Sequence, residues 1–176
     1  MNPSTAAVLA QVLSLALYAI IARLYVVPWL KARDRADALI PLMWVHAFRY
    51  VALHLFDAQS AGFAISDGLR DRIIYGDLFA SALAVLAILA LHARMRVSIP
   101  LVMLLVGETV TFIATLIRAR GHEQTAAVAT GINWLIQSFY VPLVPVTLSF
   151  IIWQLASRRG EPLVAVEHRG LAVEEN

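Results

Sequence analysis

The chain contains no cysteine, which excludes disulfides, thiolate metal sites and dithiol redox chemistry. Lysine occurs once, as Lys31, and none stands inside an apolar run where a Schiff base would form. Charge of either sign is scarce: 15% of the 176 residues are Asp, Glu, Lys or Arg, whereas 60% are hydrophobic. A soluble domain of this length cannot hide so much apolar surface, because small domains keep a large polar exterior. The shortage of polar residues therefore predicts an all-α, polytopic membrane protein, with the lipid bilayer as its first partner. A net charge of +2 implies no nucleic-acid partner, since the arginines stand beside the apolar runs, where they act as topology signals. The N-terminus lacks the basic segment of a cleavable signal peptide, so the first apolar run reads as a retained membrane helix.

Windows of about 20 apolar residues define spans. They fall at Ala6–Leu30, Ala38–Phe56, Ile73–Ala93, Ile99–Ile117 and Gly131–Ala156. The expected organisation is a bundle of five transmembrane helices over residues 1–156, followed by a short polar tail, 157–176, read as disordered and cytoplasmic. Lys31, Arg33 and Arg35 in the first connection, Arg94 and Arg96 in the third, and Arg158, Arg159 and Arg169 in the tail would share one side. The opposite side has a bare N-terminus, a connection (57–72) where Arg70 and Arg72 alternate with Asp67 and Asp71, and a connection carrying Arg118 and Arg120. The positive-inside bias then places the protein in a bacterial-type plasma (inner) membrane, N-terminus outside and C-terminus in the cytoplasm.

Polar residues recur on the spans at helical spacing. At 3.6 residues per turn, His46, Arg49, Tyr50, Leu53, His54 and Asp57 share one face of the second span, with Val45, Phe48, Val51, Ala52 and Leu55 opposite. Glu108, Thr111 and Thr115 align on the fourth; Asn133, Gln137, Tyr140 and Thr147 on the fifth; Gln11, Ser14, Tyr18 and Tyr25 on the first; Asp77 and Ser81 on the third. Lipid offers such groups no hydrogen bonds, so each stripe should face protein or water. On the third span Gly76, Ala80 and Ala84, continued by Ala87, form a small-residue ridge suited to close helix packing, within the chain or against another copy. Pro142 and Pro145 predict a kinked or locally unwound fifth helix. Trp29, Trp134 and Trp153 lie near span ends, as interfacial indoles do.

Glu108 is the most informative single residue. A carboxylate at membrane depth costs a few kcal/mol on insertion scales and needs a partner inside the bundle. Counted from the cytoplasmic helix ends, Arg49 and Glu108 both lie roughly 14–17 Å deep, so they are expected to pair. The same count puts His54, Asp77, Asn133 and Gln11 about 5–8 Å below the outer surface. A polar cavity opening outward and floored by Arg49 and Glu108 follows. In the bland alternative, the ion pair only fixes helix register.

Cofactor chemistry finds little support. His46 and His54 stand about 12 Å apart along their helix and cannot ligate one haem iron together, so haem is disfavoured. His54, Asp77 and Glu108 have no spacing characteristic of a metal site, and none is predicted. Acid–base chemistry fits better, with Glu108, His46 and His54 as catalytic candidates. Glu108-x-x-Thr111, followed on the next helix by Asn133 and Trp134, resembles the sterol-isomerase and sigma-receptor superfamily. The resemblance covers four residues and implies a membrane-embedded isomerase acting on a lipophilic substrate. Tyr50 stands four residues after His46, where that superfamily carries an acid, and the Asn-to-Trp spacing differs.

The function expected from these residues is binding or transport of a small polar or amphipathic ligand, or of protons. Arg49, Glu108, His46, His54, Asp77, Tyr18, Asn133, Gln137 and Tyr140 form the pathway. A membrane-embedded acid–base enzyme of isomerase or hydrolase type is one alternative. A non-catalytic subunit of a membrane complex, or a homo-oligomer, is the other.

Overall fold

The structure, a computed structural model, describes residues 3–119 and 131–161. Five of its helices are long and apolar enough to cross a membrane, and no strand occurs among the described residues. We label these helices α1 (Thr5–Lys31), α2 (Arg35–Ser60), α3 (Asp67–His92), α4 (Ser98–Arg118) and α5 (Gly131–Ser157). Together they mark a membrane protein. The tail from residue 162 onward and the connection 120–130, with Arg120 and Arg169, lie outside the described residues.

The connections are shorter than the apolar windows imply. The predicted loop 57–72 shrinks to residues 61–66, because α2 runs on to Ser60 and α3 starts at Asp67. Ser66 caps α3 by accepting a hydrogen bond from the Leu69 amide at 3.3 Å, and Asp67 adds an acid to the first turn, where the helix dipole favours one. Polar helical turns outside the apolar core look like loops when only hydropathy is read. Gly62, at φ +92°, turns the chain between the two helices.

The main core lies between α2, α3 and α4. Ala80, Ala84, Ala87 and Leu91 of α3 are fully buried against Ala38, Leu39 and Met43 of α2 and Val102 and Leu105 of α4. The small-residue ridge therefore serves packing inside the chain, letting backbones approach where lipid gives no hydrophobic drive. A second cluster at the other end joins Ala52, Leu55, Phe63, Ile65, Leu69 and Ile74. Helix α5 packs on α2, and α1 leans on α5 at the periphery, with Val12, Leu17 and Leu24 more than half exposed.

Three helices depart from regular α geometry. Residues Phe48–Leu53 of α2 form a 3₁₀ segment. Residues Ala22–Val26 of α1 and Ile136–Tyr140 of α5 form π turns. Each π turn ends two residues before a proline, Pro28 or Pro142, which cannot donate to the carbonyl four residues back. Widening the turn moves the ladder past that missing donor. Beyond it α5 continues as α-helix over Val141–Ser157, with Pro145 inside.

Arginines gather at one end of the bundle and tie it together. Arg94 takes a positive φ of 52° just after α3 and reaches Asp34 and Asp37 at the start of α2, each at 2.9 Å. Arg158 donates to the Leu30 carbonyl at 3.0 Å and to that of Arg33, capping the end of α1. Buried Arg35 reaches the Leu155 carbonyl at 3.4 Å.

Candidate functional site

Arg49 is 1% exposed and lies within the 3₁₀ segment of α2. Three residues per turn place His46, Arg49, Ala52 and Leu55 in one row, and all four are buried. This corrects the face read at the α-helical period: Tyr50, Leu53 and Asp57 are exposed, while Ala52 and Leu55 turn inward. Side chains from neighbouring helices support the change of pitch. The Tyr140 hydroxyl donates to the Val45 carbonyl at 2.7 Å, and the Ser81 hydroxyl to that of Ala47 at 2.5 Å.

The guanidinium of Arg49 meets two carboxylates. Nε and Nη2 each lie 2.6 Å from Asp77 Oδ1, and Nη1 lies 2.9 Å from Glu108 Oε2. Nη1 also donates to Thr109 Oγ1 at 2.8 Å, and the Phe112 ring lies 4.8 Å from the guanidinium carbon. Three helices thus converge on one cation. Gly76, one residue before Asp77, lies against Glu108: a Cβ added there would stand 3.5 Å from Oε1, an ordinary van der Waals contact.

Asp77 is at the level of Arg49, deeper in the bundle than the depth count places it. The depth count failed because it began at Ile73. From the true start of α3 at Asp67, Asp77 is about 15 Å along the helix. Thr109 was missed for a different reason. It continues the fully buried row Ser98, Val102 and Leu105, so it reads as core at the helical period. Thr111 and Thr115, placed beside Glu108 by spacing, instead donate to carbonyls of their own helix at 2.9 and 3.0 Å.

The remaining predicted residues form a polar network between α2, α1 and α5. His54 has Nδ1 2.7 Å from the Val51 carbonyl and Nε2 2.9 Å from Asn133 Oδ1, so both ring nitrogens face oxygen. Gln137 donates to the same Asn133 oxygen at 3.3 Å. The π turn of α5 offers its carbonyls to α1: Gln11 donates to that of Gln137 at 3.2 Å and Tyr18 to that of Phe139 at 2.8 Å. Tyr25, on the predicted stripe of α1, points outward and is 68% exposed. His46 is fully buried, with Nε2 3.2 Å from Thr147 Oγ1. His46 Nδ1, Asn133 Nδ2 and Ser138 Oγ are buried without a hydrogen-bond partner among the described residues. His54, Asp77 and Glu108 do not gather into a metal-binding group of three among the described residues.

A cavity of about 450 Å³ lies beside this network, between α1, α2 and α5. Its walls are apolar, including Ile21, Val26, Leu42, Val45, Val146 and Phe150, and it meets the polar network at Tyr18 and Thr147. Arg49, Asp77 and Glu108 are not among its lining residues.

A protein-family profile described as a domain of unknown function, DUF8737, matches residues 6–156, and the chain belongs to that family. No curated protein and no solved structure matches the chain.

Proposed function

We propose that this DUF8737 member exchanges protons at the Arg49–Asp77–Glu108 centre, and couples that exchange to binding or transport of a small polar or amphipathic ligand. One observation carries the reading: a single guanidinium faces two carboxylates inside a membrane-spanning bundle. Arg49 balances one negative charge. The other must be met by a proton or a cation, because an uncompensated charge at low dielectric is very costly. A device that only fixed register would need one acid, as in a simple ion pair.

The polar network offers a route toward this centre, since His54 stands five residues beyond Arg49 on α2. His54, with both ring nitrogens facing oxygen, can hold a second proton without moving. Asn133 and Gln137 continue the hydrogen-bonded path toward Gln11 of α1. Infrared difference spectra over a pH series test the reading in the reconstituted protein. A protonated-carboxyl band that rises and falls with pH, and that Glu108→Gln or Asp77→Asn removes, is expected. No such band in wild type would reduce the centre to a register device and favour the subunit reading.

The enzyme reading keeps one specific support: His46 contacts Thr147, which lines the apolar cavity. A lipophilic substrate seated there would lie one hydrogen bond from an imidazole.

The protein would sit in a bacterial-type inner membrane. Lys31, Arg33, Arg35, Arg94, Arg96 and Arg158 collect at one end, which would face the cytoplasm. A reporter active only in the cytoplasm, fused after Asn176, should give signal; a signal only from a periplasmic reporter would invert the bundle.

A further inference from the structure

We infer that the groove between α1, α2 and α5 is a binding site for one acyl chain of an anionic phospholipid from the cytoplasmic leaflet. The inference needs the five helices to cross a bilayer with the basic end inside. It does not need proton exchange at Arg49.

The groove exists because of how α1 sits. Helix α1 leans on α5 while α2 packs against α5 and α3, which leaves a wedge between α1 and α2. The π turn Ala22–Val26 widens α1 along that wedge, and small Ala22 forms part of the wall. The walls are almost wholly apolar, and the cavity falls in the size range of small-molecule sites, roughly 300–1,000 Å³. It opens toward lipid past Tyr25 and Trp29, which are 68% and 41% exposed.

Length and charge select the occupant. From Trp29 to Tyr18 the groove follows α1 for about 16 Å. That is half of a hydrocarbon core roughly 30 Å thick, the depth of one leaflet. Trp29 marks the interfacial end, with the Arg33 guanidinium 5.3 Å from its ring centre. Lys31 and Arg33 are exposed there, while the neighbouring Asp34 and Asp37 are held by Arg94. Lys31, Arg33 and Arg94 outnumber Asp34 and Asp37 at this end, so the mouth presents net positive charge to the headgroup layer, and an anionic headgroup complements it. The chain end would reach Thr147 and, through it, His46.

Spin-labelled lipids test this in phosphatidylcholine vesicles containing the full-length protein. A trace of chain-labelled phosphatidylglycerol should show a strongly immobilised component that labelled phosphatidylcholine shows much less. Val146→Trp, which fills the groove, should abolish it. Lys31→Gln with Arg33→Gln, both exposed positions, should lower the preference for phosphatidylglycerol by about fivefold per charge removed. Equal retention of the two labelled lipids by wild type overturns the proposal. So does full retention in a Val146→Trp protein with an unchanged melting temperature. Should Val146→Trp not fold, the Lys31/Arg33 variant decides alone: an unchanged preference overturns the proposal. Cross-linking of Tyr25→Cys between two chains, with no immobilised lipid, would make a second copy the occupant and also sink it.

Discussion

Two clusters in this bundle have the same charge balance, one arginine to two acids, and different surroundings. Arg49 faces Asp77 and Glu108; Arg94 faces Asp34 and Asp37. Contact distances are alike, at 2.6 to 2.9 Å. Exposure is not: the side chains of the first set are 1%, 13% and 15% exposed, those of the second 34%, 45% and 45%. Water screens the second set, so its excess carboxylate charge needs no local answer. Within the first set the same excess is confined. Composition alone does not make a site; the medium around it does.

Removing each arginine should separate the two clusters most widely. Arg49→Leu leaves two carboxylates facing each other in the interior and should destabilise the protein by about 3–5 kcal/mol. Arg94→Leu should cost below about 1 kcal/mol, since exposed pairs contribute little. Between these lies Glu108→Leu. A simple Arg49–Glu108 pair would make it the worst loss, by orphaning the arginine. With Asp77 also bound to Arg49, a one-to-one pair survives, and Glu108→Leu should cost less than Arg49→Leu. Thermal melts in detergent at fixed lipid content measure the order. If Arg94→Leu matched Arg49→Leu, the distinction drawn from exposure would fail.

The smallest effect is expected from pH at the basic end. The Arg94 guanidinium beside Asp34 holds that carboxyl below its usual range, with backbone amides of residues 36 and 37 adding to the effect. A folded-state pKa below the unfolded one contributes stability above the unfolded value, near pH 4, and loses it as pH falls through the folded value. The melting temperature of wild type should therefore exceed that of Arg94→Gln slightly at neutral pH, and the gap should close below about pH 4. Molar salt should also narrow it. A gap that widened in acid would reverse the sign of this linkage.

How much of this was legible in the residues depends on what each signal rests on. Five spans follow from apolar windows, because bilayer thickness imposes a length that composition reveals directly. The Arg49–Glu108 contact followed from comparing depths on two helices; α4 nearly matches its apolar window, and the long Arg49 side chain absorbs the three residues by which α2 starts before its own. Asp77 was named for the pathway but set too shallow, because α3 carries an amphipathic polar turn, Asp67 to Arg72, outside its apolar window, and that turn shifts the origin of the count. The face of α2 was misread because nothing in Phe48–Leu53 announces a 3₁₀ pitch; the change is supported by Tyr140 and Ser81 from other helices. Tertiary hydrogen bonds of that kind leave no local trace. Thr109 was hidden for a similar reason: a hydroxyl on an apolar row becomes a ligand only when a neighbouring helix brings it a guanidinium.

The 3₁₀ segment has a rotary consequence. Each residue of a 3₁₀ helix advances about 120° around the axis, against about 100° in an α-helix. Over six residues the difference accumulates to roughly 120°. The orientation of the His54–Ser60 end of α2 is thus stored, like the setting of a cam, in the backbone of six residues braced by two hydroxyls. Rewinding that stretch into α form would swing His54 a third of a revolution away from Asn133 while leaving the helix below Arg49 in place.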